Sequence, residues 1–84
     1  MKKKIAILGS TGSIGKTLIQ IIKKDKKNFK IELLSANQNY KEVLNQAKIF
    51  NVKNIIITDK KSYLRLNKKK LGNIKIFNNF NSLD

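Results

Sequence analysis

The 84-residue sequence lacks cysteine and histidine, and it contains no proline or tryptophan. Without cysteine the chain can form neither disulfide bonds nor thiolate metal sites. Without histidine it also lacks the usual general base and the commonest metal ligand. Long apolar runs are missing as well, because the run that follows the opening lysines stops at Gly9, too early for a signal peptide or a membrane span. We therefore expect a cytoplasmic protein with no membrane partner.

Acidic residues are scarce: five carboxylates stand against 19 lysines and arginines, and the formal charge is +14. Such a charge favours nucleic acid or another anionic surface as a partner. The lysines, however, are scattered over turns and element ends, and Arg65 is the only arginine, whereas base-reading surfaces favour arginine. We interpret them as solvated lysines and expect no nucleic-acid partner; a small basic nucleic-acid-binding module is an alternative. The carboxylates are too dispersed to predict a metal site: Asp25, Glu32, Glu42, Asp59 and Asp84.

Three glycines separate the apolar run 5–8 from the helical pattern that follows them. An apolar run bounded by glycine is typical of a buried strand. Gly9, Gly12 and Gly15 therefore lie between a strand and a helix, at the spacing G-x-x-G-x-x-G. In that position glycines turn the chain tightly, let the backbone approach a diphosphate and let the helix pack on the strand. The helix N-terminus adds free N–H donors and a partial positive charge, so we predict a dinucleotide-phosphate site.

A Walker A loop is a minor alternative for the same stretch, because residues 15–17 read Gly-Lys-Thr after a strand. That motif needs its first glycine at position 10, which is Ser10, and Gly9 comes one residue early. The extra residue would misplace the backbone amides that wrap a triphosphate. The acidic strand that would complete such a site is also missing, because Asp59 follows only after its strand has ended on Thr58.

Strand-like and helical patterns alternate along the rest of the chain. Strands are predicted over residues 5–8, 29–36, 54–58 and 73–77, with helices after Gly15 to residue 24, from 39 to about 51, and around 63–66. Right-handed crossovers between such strands make a parallel sheet. We predict an α/β fold: a Rossmann-like parallel sheet of order 3-2-1-4 with flanking helices, an incomplete dinucleotide-binding domain over residues 1–84. Residues 78–84 are predicted as a loop or the start of a further helix.

Helical spacing and capping patterns predict the faces and ends of the helices. The apolar positions of the first helix are Ile14, Leu18, Ile21 and Ile22. Those predicted to face inward on the second helix are Val43, Leu44, Ala47 and Phe50. Asn39 is the predicted N-cap of the second helix, with Glu42 at the capping-box position. Thr58 or Asp59 is predicted to cap the third helix.

The loop after the second strand bears on which dinucleotide is bound. In NAD-binding domains a carboxylate at this point bonds the ribose hydroxyls and would repel a 2′-phosphate. Residues 35–39 contain no Asp or Glu, which permits NADP. The side-chain amides of Asn37, Gln38 and Asn39 can donate to phosphate oxygens, and Lys41 is close in sequence. The alternative is an ordinary polar loop.

Three segments, 7–15, 34–39 and 46–50, closely resemble the N-terminal NADPH-binding domain of the 1-deoxy-D-xylulose 5-phosphate reductoisomerase family. The resemblance implies that a cofactor's phosphates are lined by Thr11, Gly12, Ser13 and Ile14. It likewise implies that the adenosine ribose and its 2′-phosphate are surrounded by Asn37, Gln38 and Asn39. Family members commonly have glycine and a basic residue where this chain has Asn37 and Gln38.

The resemblance also implies an activity. The family uses NADPH and a divalent metal, Mg²⁺ or Mn²⁺, to rearrange and reduce 1-deoxy-D-xylulose 5-phosphate to 2-C-methyl-D-erythritol 4-phosphate in non-mevalonate isoprenoid synthesis. A homodimer is implied for the full-length protein. The metal ligands, the sugar-phosphate site and the lid lie beyond the matched region, so we expect no catalytic residue or metal ligand in this chain and no turnover by it alone. Another NAD(P)-dependent Rossmann reductase is the alternative, and a downstream catalytic Cys or Tyr-x-x-x-Lys would indicate it.

Overall fold

The computed structural model describes residues 2–68 and 71–80, in which strands and helices alternate as predicted. The elements in chain order are β1 (Lys3–Ile7), α1 (Ser13–Lys24), β2 (Phe29–Ala36), α2 (Tyr40–Phe50), β3 (Asn54–Ile57), α3 (Lys60–Asn67) and β4 (Lys75–Phe77). The bounds of β2 are those predicted, whereas α1 begins inside the glycine loop, before Gly15. The predicted tail 78–84 lies partly outside the described residues.

The sheet is parallel and has the order β1-β2-β3-β4. The predicted order 3-2-1-4 is therefore wrong, because β4 pairs with β3, Ile55 lying opposite Ile76. The crossover from β3 runs through a helix of only 8 residues, which lies against β3 and β4. To reach the place beside β3, the chain leaving β3 moves across the sheet by one strand spacing. To reach the far side of β1 it would have to move by three spacings, about 14 Å. In addition to the paired ladder between β3 and β4, hydrogen bonds from Lys75 N to Lys53 O (2.7 Å) and from Asn78 Nδ2 to Ile57 O (2.9 Å) hold the two ends of β4.

A β-bulge explains why the apolar residues of β2 alternate only in part. Ile5 lies opposite Ile31, but Ala6 lies opposite Leu33, so Glu32 is an extra residue in β2. The extra residue shifts the alternation by one position. Side chains on both sides of the bulge therefore reach the same core cluster: Ile31, Leu34 and Ala36.

The core lies between the sheet and the helices. Ile55, Ile56 and Ile57 of β3 are fully buried, as expected for a strand covered on both faces. Helices α2 and α3 contact each other and lie against this part of the sheet. The inward face predicted for α2 is confirmed, since Val43 and Ala47 are buried and the other predicted positions are half-buried.

The predicted apolar face of α1 is largely wrong. The buried residues of α1 are Gly15, Ile19 and Ile22, whereas Ile14, Leu18 and Ile21 are 79%, 43% and 55% exposed. The physical reason is the strand order. Because β1 is an edge strand in the described sheet, the side of α1 that projects beyond β1 has no strand beneath it.

The N-cap of α3 is Asp59, one of the two predicted candidates. Its Oδ2 atom accepts hydrogen bonds from the Ser62 hydroxyl (2.7 Å) and the Ser62 amide (3.0 Å). These two bonds, the hydroxyl's first, lower the pKa of the Asp59 carboxyl below its ordinary value, with smaller contributions from the charges of Lys61 and Arg65. The carboxylate that follows β3 therefore caps a helix. No helix in the described part of the chain combines the length and apolarity needed to cross a bilayer.

We expect Asp59→Ala to lower the thermal unfolding midpoint at neutral pH, because the first turn of α3 loses its acceptor. A carboxyl whose pKa is lower in the folded state stabilises above the unfolded-state pKa of about 4. That stabilisation is lost as the pH falls through the lower folded-state pKa. The difference in thermal midpoint between Asp59→Ala and the unmodified chain should therefore narrow in acid. Asp59→Asn is the matched control, since it keeps an oxygen acceptor without a titratable charge. If the difference in midpoint between the unmodified chain and Asp59→Ala stayed constant from neutral to acid pH, the result would contradict the role of the Asp59 carboxylate as a charged cap.

Candidate dinucleotide-binding site

The loop after β1 is a tight turn that begins at Gly9. The Gly12 amide donates to the Gly9 carbonyl over 3.0 Å, which closes the turn around Ser10 and Thr11. Gly9 has φ +67°, in the left-handed region where residues with a Cβ are strained. A Cβ placed on Gly9 would have no atom within 4 Å, so the space beside it is open. The turn is therefore not filled by side chains.

Gly12 brings the start of α1 to this turn without covering it. It is the N-cap of α1, with φ −77° and ψ 173°, and no side chain caps the helix. Its carbonyl accepts from the Lys16 amide over 2.8 Å. The amides of the first helical turn, including those of Ser13 and Ile14, have no acceptor within the helix and can bind an anion.

Gly15 has a different role, because it lies where α1 meets the loop. It is buried, and a Cβ at this position would collide with the Gly9 carbonyl oxygen and lie 2.6 and 2.9 Å from Ser10 Cα and C. Only glycine lets the helix approach the loop backbone this closely. The structure shows Gly9 in the tight turn and Gly15 in the close packing of the helix on the loop backbone, whereas the approach of a diphosphate to Gly12 stays a prediction.

Two buried serines attach the turn to β2. Ser10 is fully buried and Ser35 is 5% exposed. The Ser10 amide donates to the Ser35 carbonyl and the Gly9 amide to Ser35 Oγ, both over 2.9 Å. The Ser10 hydroxyl makes a longer bond of 3.4 Å to the same carbonyl. Ser10 thus faces inward, away from the open side of the loop.

Gln46 of α2 supports the turn from behind and was not predicted as a site residue. It is 7% exposed, and its Nε2 atom donates to the Ser10 carbonyl over 3.0 Å. The sequence did contain a signal, because this polar residue lies between the apolar positions Val43 and Ala47 on the inward face of a helix. A buried polar side chain normally has a hydrogen-bonding reason to be there.

The second predicted segment, 37–39, forms the exposed loop after β2. Asn37 is tied to the next loop, since its Oδ1 accepts from Thr58 Oγ1 over 2.9 Å and its carbonyl accepts from the Asp59 amide over 3.1 Å. The Gln38 carbonyl accepts from the Tyr40 amide over 2.8 Å, so both backbone and side chain shape the loop.

Asn39 is the N-cap of α2 by position, but its side chain makes no capping hydrogen bond. The predicted capping box is therefore wrong. Glu42, its expected partner, instead pairs with Lys16 of α1 over 3.3 Å. This ion pair links the first turns of α1 and α2 beside the glycine loop. Because Glu42 is paired with Lys16, it does not form a capping box with Asn39.

The structure brings the two predicted segments to one edge of the sheet. Because all strands are parallel, the loops after β1, β2 and β3 leave from the same carboxyl edge, where α/β proteins bind ligands. The loop after β1 is bonded directly to Ser35, two residues before Asn37. Within residues 2–68 and 71–80, no three Cys, Asp or Glu side chains gather into a possible metal site. The free amides at this edge suit a phosphate-containing ligand.

Fold and site together define a Rossmann-like α/β domain with a glycine loop at the carboxyl edge of its parallel sheet. The family model described as "1-deoxy-D-xylulose 5-phosphate reductoisomerase" matches residues 5–82. The chain belongs to this family. A reductoisomerase of that name from Pelagibacter ubique (strain HTCC1062) is 60% identical over 98% of this chain and 21% of its own length. One from Wolbachia pipientis subsp. Culex pipiens (strain wPip) is 41% identical over 88% of this chain and 19% of its own length.

A solved structure supports the same assignment. The reductoisomerase from Zymomonas mobilis in complex with NADPH superimposes with a TM-score of 0.84 and 27% sequence identity, covering 92% of this chain and 21% of that one. Family membership confirms the resemblance and favours it over other Rossmann reductases and over a basic nucleic-acid-binding module. The chain spans about a fifth of the length of the relatives it matches.

Gly15→Ala should destabilise the chain, because its Cβ would overlap backbone atoms that cannot move aside like the end of a side chain. We expect the thermal midpoint to fall by about 5–10 °C, since overpacking costs about 1–3 kcal/mol and outweighs the better helix propensity of alanine. Gly12→Ala is the control, because its Cβ would meet only the Gly9 carbonyl oxygen, at 3.4 Å. Equal midpoints for the two variants, measured by circular dichroism, would contradict the packing role of Gly15.

Proposed function

We propose that this chain is the N-terminal part of the NADPH-binding domain of an enzyme that converts 1-deoxy-D-xylulose 5-phosphate to 2-C-methyl-D-erythritol 4-phosphate. The observation that carries the proposal is the open turn from Gly9 to Gly12, followed by a helix with no side-chain cap. Family membership supports the reaction, and the relative solved with NADPH supports the cofactor. NADPH, when bound, supplies the hydride for the reduction, and the residues of this chain bind and orient it.

The diphosphate of the cofactor is proposed to lie against residues 11–14. The free amides of the first turn of α1 supply donors there, and the helix dipole adds partial positive charge. Gly9 leaves the approach open, whereas Gly15 acts from the buried side by holding the helix against the loop. Ile14, which is 79% exposed at the start of α1, is proposed to cover the bound diphosphate.

The adenosine ribose and its 2′-phosphate are proposed to lie against Asn37, Gln38 and Asn39. All three are exposed at the sheet edge, and no carboxylate of the described loop residues 35–39 opposes a 2′-phosphate. The Asn37 oxygen is occupied by Thr58, which leaves its Nδ2 group to donate. Lys41 is exposed in the first turn of α2. It supplies a positive charge, which the neutral side-chain amides of residues 37–39 lack. These features support a preference for NADPH over NADH.

The remaining parts of the enzyme are proposed to come from a longer protein, since the chain spans about a fifth of its relatives. The apolar side chains beside β1 support this, because Leu8, Leu18 and Ile21 are all between 43% and 60% exposed. Apolar surface grouped at the open edge of a sheet usually has a partner. We propose that the rest of the domain covers this side. The divalent metal, the sugar-phosphate site, the homodimer and the cytoplasmic location are proposed on family membership alone.

The cofactor proposal predicts that NADPH binds the chain more tightly than NADH, and that ATP with Mg²⁺ does not compete. Lys41→Ala should weaken NADPH binding by about two- to fivefold, the loss expected for one exposed charge on a phosphate. NADH lacks the 2′-phosphate, so its affinity should not change. Lys48→Ala, an exposed lysine near the other end of the same helix, is the matched control. Ligand-observed NMR titrations measure all of these affinities, and preferential binding of ATP would overturn the proposal.

The domain proposal predicts that the chain alone makes no product from 1-deoxy-D-xylulose 5-phosphate, NADPH and Mg²⁺. The chain shares 60% identity with the matching segment of the Pelagibacter ubique relative. Putting this chain in place of that segment in the relative should give an active chimera. Replacing Leu18 and Ile21 by glutamate should leave the isolated chain folded, because both are exposed. In the chimera, the same two changes should prevent the rest of the domain from packing on this side of α1. Lys23→Glu on the same helix should not. Turnover by the isolated chain would contradict this division of roles.

A further inference from the structure

Gln46 is the one buried side chain in the described residues whose polar atoms are only half satisfied. Its Nε2 atom donates to the Ser10 carbonyl, but its Oε1 atom is buried and accepts no hydrogen bond from the described residues. An apolar side chain of similar length would remove this unpaired acceptor but would leave the Ser10 carbonyl unpaired in its place, so the exchange is nearly neutral. Stability alone therefore does not explain a glutamine here, and the bond to Ser10 is the feature to be explained.

That bond fixes the direction of one peptide plane in the glycine loop. The Ser10 carbonyl and the Thr11 amide belong to the same planar trans peptide, so they point in opposite directions. Because Gln46 holds the carbonyl toward the buried side, the Thr11 N–H is directed toward the open side. No hydrogen bond joins the Thr11 amide to another described residue, so it is free to donate to a ligand.

This peptide is the one in the turn that is able to rotate. It lies between the two central residues of the turn closed from Gly12 to Gly9, and rotation of the central peptide interconverts type I and type II turns. The rotated form would direct the carbonyl outward and would repel a phosphate. It would also need a positive φ at Thr11, which the structure does not show. The β-branched side chain of Thr11 and the Gln46 bond thus favour the same orientation.

We propose that Gln46 is a positioning residue for the cofactor: it holds the Ser10–Thr11 peptide so that the Thr11 amide donates to the diphosphate. The inference rests on the proposed function, since it assumes that a dinucleotide occupies the glycine loop. Gln46 itself is buried behind the loop and does not touch the ligand. Its effect is confined to the diphosphate and does not extend to the adenosine end.

The test compares Gln46→Met with the unmodified chain, using NADPH and 2′-AMP as ligands. Methionine has a similar length but cannot donate to Ser10, and it also removes the unpaired Oε1. We expect the Kd for NADPH to rise about tenfold or more, the loss of one hydrogen bond to a charged group. The Kd for 2′-AMP, which carries the 2′-phosphate but no diphosphate, should change less than about twofold. Gln20→Met, at an exposed glutamine of α1, is the matched control and should leave both affinities unchanged.

A thermal melt separates positioning from a merely structural role. One unpaired acceptor replaces another in Gln46→Met, so its midpoint should stay within about 4 °C of the unmodified chain. Gln46→Leu provides a second apolar variant and should behave alike. Unchanged NADPH binding, equal losses for both ligands, or unfolding of both variants would overturn the proposal. If the unmodified chain binds neither ligand, the proposed function itself fails, and that result is distinguishable from failure of the positioning role.

Discussion

The close approach of α1 to the backbone of the glycine loop is the constraint on which the site depends. Gly15 lies against Gly9 and Ser10 with no room for a Cβ, so the first turn of the helix starts directly beside the turn that follows β1. A helix set further out would carry its free amides away from the open side of the loop. The same approach places Ser10 in the interior, where its polar groups need partners. The closeness of helix and loop therefore determines what must be buried behind the site.

Those partners come from elements distant in sequence. Ser35 of β2 accepts hydrogen bonds from the Gly9 and Ser10 amides, and Gln46 of α2 donates one to the Ser10 carbonyl. The loop is thus clamped by the next strand and the next helix, and its outward amides are directed by groups that no ligand would contact. A phosphate site made of backbone donors needs such support, because a flexible loop would lose much of its binding free energy in becoming ordered.

Particular residues show why some of this was predictable from the sequence. The glycine spacing, the bounds of β2 and the inward face of α2 follow from local rules, since backbone freedom and hydrophobic periodicity are read within one element. Asp59 as the cap of α3 is local in the same sense. The resemblance to the family was drawn on three short segments, 7–15, 34–39 and 46–50. The first is specific because a backbone that must turn, stay bare and pack closely admits few sequences.

Other features depended on which elements become neighbours. The order of the strands, the exposure of Ile14, Leu18 and Ile21, and the pairing of Glu42 with Lys16 all differ from prediction for this reason. A periodic pattern shows that a helix has an apolar face but does not show whether a strand lies beneath it, and a capping pattern does not reveal a competing lysine on another helix.

The sequence by itself determined the class of fold, the family and the glycine loop proposed to face the cofactor, since each is encoded in residues adjacent along the chain. Only the tertiary structure decided that β4 lies beside β3, that β1 has an open edge, and that Ser35 and Gln46 hold the loop from behind. These are contacts between segments tens of residues apart. They exist because burying the loop backbone leaves polar groups that only those segments are close enough to satisfy.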